Sequence, residues 1–229
     1  GTSENPSVTG TGSIVAFESD ARLLNVGPVG VKQIYTWTRN SQTTTQWTFG
    51  DQDSTEPSLN ARGKAMVFLS KADLRGNGST GTQLFLWRER PSTILGIEGS
   101  GQLHQLTPVG NSTTANAVFS PENAGNLVLF DTNAPIGGPS NGHRQIVMVN
   151  LASGQFTRVT NYAGGDSVKP TLSITHRWLT YQSNADPLGN GSNGWEIYLK
   201  DLENGDLRQI TNSPTGDSTE PALAVNAGY

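Results

Sequence analysis

The chain has 229 residues, 34% of them hydrophobic and 15% charged, with a formal net charge of −4 and no cysteine. That length suffices for one large domain or two small ones with a buried core. The composition excludes disulfides and thiolate metal sites, lacks the basic patch of a nucleic-acid binder, and holds no apolar run long enough to span a bilayer as a helix.

Four units follow one another along the chain. The first has Pro6 and Val8, a "TGTG" turn, an apolar run with Val15 and Phe17, a long loop (20–32), the run "QIYTW" (33–37) and a short run closing on Thr48. The second, from "QDSTEPSLNARG" (52–63), repeats this with Pro57, Leu59, Met66 and Phe68, then "QLFLW" (83–87) and Thr107; it carries an insertion at 90–102. The third is anchored on Ala117 and Phe119, followed by Val128, Phe130, "QIVMV" (145–149) and Thr160. The fourth has Pro170, Leu172, Leu179, Tyr181, "EIYLK" (196–200) and Thr211, and "GDSTEPALAV" (216–225) begins the pattern a fifth time with Pro221.

Residues two apart share one face of a strand, so the column two before each aromatic joins it on a single apolar face. Four short strands per unit, without capped helical periodicity, predict an all-β propeller of four-stranded antiparallel blades. The repeats run at about 5–55, 56–115, 116–168 and 169–219, with an extra inner strand at 220–229. Proline is expected at the start of each first strand, where no ladder donor is needed.

"GNGSTG" (76–81) and "GNGSNG" (189–194) match the spacing of a dinucleotide-binding loop. That fingerprint needs a helix opening behind its glycines. Here both join the second strand of a unit to the third, so the glycines are read as turn residues with positive φ and no cofactor is expected.

The pattern Pro-x-apolar, then apolar-aromatic-x-Ser, then Glu/Gln-Ile-Tyr, then "LENGDLRQITN" resembles the TolB-like, PD40-type (WD40-like) β-propeller repeat, most clearly over the last unit. The resemblance covers essentially the whole chain. It departs at the first turns, where only "SPENAG" (120–125) approaches the family's Ser-Pro-Asp-Gly. It implies a bacterial, periplasmic or secreted protein that scaffolds envelope complexes or serves as an accessory domain gating a protease.

In a blade crossed strand by strand, the second-to-third loops and the loops between units share one face. The elaborated loops cluster there, the usual place for binding on a rigid scaffold. Asp73, Asn77, Asn141, Asp186, Asn190 and Trp195 are its candidate contacts. The residue before each anchor, namely Asn5, Glu56, Asn116, Lys169 and Glu220, is placed near the axis as a mixed-charge rim able to take a polar ligand or to bind water. Asp53, Asp166 and Asp217, each directly before a Ser, are read as caps of Asx-type turns rather than calcium ligands.

"GPSNG" (138–142) matches a nucleophile elbow, but Ser140 has no helix behind it and His143 shares its loop. His104, His143 and His176 lie in separate units, so no metal site is expected. Three functions remain: a non-catalytic module binding a protein or polar ligand, a hydrolase or lyase using Glu56, Glu220 and Lys169 in the channel, and a purely structural segment. The surplus first strand leaves three arrangements: a piece of a larger propeller, two chains completing one ring, or four closed blades with the last strand displaced. The absence of an initiator Met and the ending "VNAGY" favour the first.

Overall fold

The computed structural model describes residues 1–89, 103–121 and 125–224. The insertion at 90–102 and the terminal "VNAGY" lie outside these residues. Blade 1 consists of β1 (Ser3–Val8), β2 (Ile14–Ser19), β3 (Gln33–Thr38) and β4 (Thr43–Gln46). Blade 2 consists of β5 (Ser54–Leu59), β6 (Ala65–Ser70), β8 (Gln83–Arg88) and β9 (Leu103–Gln105), with the two-residue β7 (Thr80–Gly81) in its loop. After β10 (Asn111–Ser112) come blade 3, β11 (Thr114–Phe119), β12 (Leu127–Thr132), β13 (Gln145–Asn150) and β14 (Gln155–Arg158), and blade 4, β15 (Ser167–Leu172), β16 (Trp178–Ser183), β17 (Glu196–Asp201) and β18 (Leu207–Gln209).

Each blade is a four-stranded antiparallel meander in chain order, and β7 pairs in parallel with β10 between blades 2 and 3. No helix occurs among the described residues. The apolar columns form the joints between blades. Leu59, Met66 and Phe68 meet Ala16 and Ile34 of blade 1. Val128 and Phe130 meet Val67, Leu84 and Leu86 of blade 2. Leu172, Leu179 and Tyr181 meet Leu129 and Ile146 of blade 3. Stacked cross-strand ring pairs recur at Phe17–Tyr35, Phe68–Phe85 and Tyr181–Tyr198, 5.6–5.8 Å between centroids; such pairs add about 0.5–1.5 kcal/mol beyond burial.

Two expectations about strand ends are corrected. Pro6, Pro57 and Pro170 sit inside their strands, because the register slips at that point in β1, β5 and β15 and leaves the residue outside the ladder. The repeated threonines lie two residues past the fourth strands. Their hydroxyls take over from the ladder, accepting the N–H of Ile34, Leu84, Ile146 and Ile197 at Thr48, Thr107, Thr160 and Thr211 (2.8–3.2 Å).

The extra strand expected at 220–229 is not formed over residues 220–224; the rest of that range lies outside the described residues. Residues 217–220 nevertheless hold an inner strand's place on blade 4. Ser218 N–H donates to Trp195 O (2.6 Å) and Glu220 N–H to Gln182 Oε1 (3.0 Å). Among the described residues no second strand pairs with them.

Candidate functional site

The slip in each of the four first strands spans two residues, and the first of them is the residue before the anchor: Asn5, Glu56, Asn116 and Lys169. Asn5, Glu56, Asn116, Lys169 and Glu220 all have left-handed backbones, with φ between 49° and 60°. This conformation is unfavourable for a non-glycine residue by about 1–3 kcal/mol, and it turns the side chain away from the ladder. All five side chains line one cavity of about 530 Å³, with Pro6, Pro57, Pro170 and Pro221 beside them.

What holds the bulges is a set of buried acceptors that the sequence reading did not single out. Each follows the aromatic column in the second strand. Glu18 Oε2 accepts Glu56 N–H (2.6 Å), Asp131 Oδ2 accepts Lys169 N–H (3.2 Å), and Gln182 accepts Glu220 N–H. Glu18 and Asp131 are almost fully buried. Blade 2 has Leu69 at this place, and Glu56 takes over the role, its Oε2 accepting Asn116 N–H (2.8 Å). The sequence carries only a polar residue at the same step after the aromatic in three of the second strands, which does not identify the N–H it accepts.

The residue just before each third strand matches this acceptor in charge. Lys32 Nζ bonds Glu18 (2.8 Å), and Arg144 Nη1 bonds Asp131 (3.1 Å). In the other blades both positions are uncharged, Thr82 with Leu69 and Trp195 with Gln182. A buried carboxylate is thus given a cation in its own blade, as the cost of burying an unpaired charge requires.

Burial still dominates the electrostatics. It pushes Asp131 up to about 6, against the opposing pull of Arg144, the Asn116 amide (2.6 Å) and the Lys169 N–H. Burial likewise raises Glu56. The hydrogen bonds that Lys32 Nζ donates to Glu18 and then to Glu4 raise its pKa above the usual lysine value. Lys169 and Glu220 form an ion pair across the cavity.

The loop-face candidates remain at the surface, but their polar groups are bonded to their own loops and blades. Asp73 caps the N–H groups of Asn77 and Gly78 (3.0 and 2.7 Å), and Asp186 does the same for Asn190 and Gly191 (3.0 and 2.7 Å). Their carboxyls are accordingly held below the usual range. The amides of Asn77, Asn190 and Asn141 reach Gln105, Gln209 and Tyr162 O, which pins the loops to their blades. Trp195 is half-buried, its backbone tied to Asp217 and Ser218.

Asp53, Asp166 and Asp217 do more than the expected turn capping. Their Oδ1 atoms accept the N–H of Lys32, Arg144 and Trp195 (each 2.9 Å), while the N–H of the following serine donates back to the same residue's carbonyl. This reciprocal pair ties the entry of each unit to the preceding blade.

The glycines of both loop motifs, Gly76, Gly78 and Gly81 and Gly189, Gly191 and Gly194, have φ between 62° and 81°, and a strand follows each loop. Ser140 donates to Asn133 O (2.6 Å), and His143 faces Asp166 (3.4 Å). The three histidines stay apart, and among the described residues no three acidic or histidine side chains converge on a metal position.

No family model and no curated protein matches the sequence. Solved structures do match. TolB from Acinetobacter baumannii is 18% identical with a TM-score of 0.58, covering 93% of this chain and 44% of that one. A putative TolB from Agrobacterium tumefaciens is 17% identical with a TM-score of 0.56, covering 94% and 64%. A puromycin-hydrolyzing peptidase from Mycobacterium tuberculosis is 11% identical with a TM-score of 0.60, covering 94% and 30%. The chain therefore spans less than two thirds of each of these proteins. The blades, their meander order and these likenesses give the chain the fold of the TolB-like β-propellers.

Proposed function

We propose that the chain is a non-catalytic binding or scaffolding module, periplasmic or secreted, that holds a polar protein segment at its axial cavity. The supporting observation is the convergence of five polar residues with left-handed backbones, four of them in strand bulges, on one cavity of about 530 Å³. Five separate departures from favourable backbone geometry place polar side chains in a common space. Strain of this kind persists where the surrounding structure holds it, and it clusters at ligand clamps. Lys169 and Glu220 present opposite charges there, suited to a segment carrying both signs. The loop face contributes less to this reading, because its candidate side chains are engaged in holding their own loops.

A catalytic channel is less well supported. Glu56 is occupied by the Asn116 N–H, and Lys169 is paired with Glu220, so neither side chain is disposed as a free base. The likeness to a puromycin-hydrolyzing peptidase favours a second, related reading: an accessory domain that admits peptides to a hydrolase borne elsewhere.

A displayed random-peptide library selected on the purified chain tests the main reading. Selected peptides should lose at least about tenfold in affinity when Lys169 and Glu220 are both replaced by Ala, a loss of about 1.4 kcal/mol. Peptides that bind the double variant unchanged would place binding elsewhere. Cleavage of the selected peptides by the chain alone would refute the non-catalytic assignment.

A further inference from the structure

The joint between blades 1 and 2 is packed differently from the joint that follows it. On the face that blade 1 turns to blade 2, the second and third strands contribute the register pair Ala16 and Thr36. The equivalent pair is Val67 and Leu86 in blade 2, both fully buried in the next joint, and Leu129 and Met148 in blade 3. Blade 1 is therefore short of aliphatic volume at one step of its interior face. Two indoles enter the joint instead. Trp47 stands where blades 2 and 3 have Leu106 and Val159, and Trp87 stands where blade 3 has Val149.

The result is a cavity of about 110 Å³ within the joint. Leu59 and Met66, both buried, close its inner end. Trp47 and Trp87, 4.4 Å apart between ring centroids and tilted by 56°, give it an aromatic wall. Trp47 Nε1–H donates to Thr36 Oγ1 (2.8 Å), which fixes that indole in place. Thr36 is buried, whereas Thr38 and Thr45 bring two further hydroxyls to the lining from positions that reach solvent. Close packing is the rule in protein interiors, and the equivalent step of the next joint is filled by Leu86.

We propose that this cavity binds a small single-ring aromatic molecule carrying one hydroxyl or amino group, with phenol as its simplest representative. An apolar cavity of about 150 Å³ takes benzene; this one is somewhat smaller but open on its threonine side, so one ring enters with its substituent outward. Aromatic rings attract one another through their quadrupoles beyond what burial supplies, and the two indoles provide that contact. A hydroxyl both donates and accepts, so Thr38 and Thr45 meet the polar substituent at the solvent side. None of the described lining residues is charged, which disfavours an ionic ligand. The cavity shares no lining residue with the axial one, so the inference is independent of what the axial cavity holds.

Titration of the nitrogen-15-labelled chain with phenol tests it, read at the indole N–H signals of its five tryptophans. The signals of Trp47 and Trp87, assigned with W47F and W87F, should shift and saturate with a Kd of about 1 mM or tighter, while the other three stay in place. Cyclohexanol, similar in size and polarity but not aromatic, should bind roughly two- to tenfold more weakly. Thr36→Leu gives blade 1 the residue that fills the next joint. Thr38→Leu fills the cavity from its solvent side and leaves the Thr36–Trp47 hydrogen bond intact. Far-UV circular dichroism shows which variants fold, and each folded one should bind phenol at least about tenfold more weakly. The K169A/E220A double variant should bind it as the wild type does. Absence of a saturable shift at Trp47 and Trp87 up to about 20 mM phenol overturns the proposal, and so does an affinity unchanged in the folded Leu variants. Equal binding of cyclohexanol would overturn the aromatic assignment, and loss of phenol binding in K169A/E220A would overturn the location.

Discussion

Asp131→Asn should change how the stability of the molecule depends on pH. The carboxyl is fully buried and held at about 6 in the folded chain, against an ordinary 3.8. Below about pH 4 it is protonated in both folded and unfolded states. Between about 4 and 6 the unfolded chain releases the proton while the folded chain keeps it, so folding becomes less favourable as pH rises. The shift of about two pKa units corresponds to about 3 kcal/mol, fully lost above about pH 7. Asparagine has no proton to lose and keeps an oxygen for the Lys169 N–H, so the variant lacks this component. Urea unfolding of both proteins from about pH 4 to pH 8 measures it. The stability of the wild type relative to the variant should fall by about 3 kcal/mol across that range. A difference that stays constant, or that grows in favour of the wild type, would show that Arg144, Asn116 and the Lys169 N–H outweigh burial and that Asp131 is ionised throughout.

Asp53→Ala removes the acceptor of the Lys32 N–H and should cost about 1–3 kcal/mol, seen as a fall of about 2–4 °C in Tm per kcal/mol for a chain of this size. Asp53→Asn keeps the oxygen and should lose clearly less. Gly81→Ala should be far more damaging than Gly78→Ala. Both glycines have positive φ, but a Cβ at Gly81 would meet Ser112 O at 2.2 Å, whereas the space around Gly78 is open. Thermal melts of the two variants should separate clearly; equal melting temperatures would remove the β7–β10 contact from any role in seating blade 3 on blade 2.

The repeated columns were sufficient to specify the blades. Aromatics at Phe17, Phe68, Phe130 and Tyr181, each with an apolar residue two before it, demand a two-sided strand at the same place in every unit, because side-chain alternation is a local property of extended backbone. The equivalence of Asn5, Glu56, Asn116, Lys169 and Glu220, which line one cavity, was legible for the same reason: each stands at a fixed step from a repeated anchor.

Only the tertiary structure decided what those residues do. The aspartates before the units read as local turn caps, yet their partners lie about a strand pair away in the preceding blade, at Lys32, Arg144 and Trp195. Glu18, Asp131 and Gln182 gave no local reason to serve as acceptors, because the N–H groups they satisfy belong to the next blade, 38 residues further along the chain. The bonds that the loop aspartates and asparagines make within their own loops and to their blades likewise appear only in the folded chain. Local chemistry repeats with the sequence and can be read from it. Which polar group finds which partner depends on distances set only when one blade packs against the next.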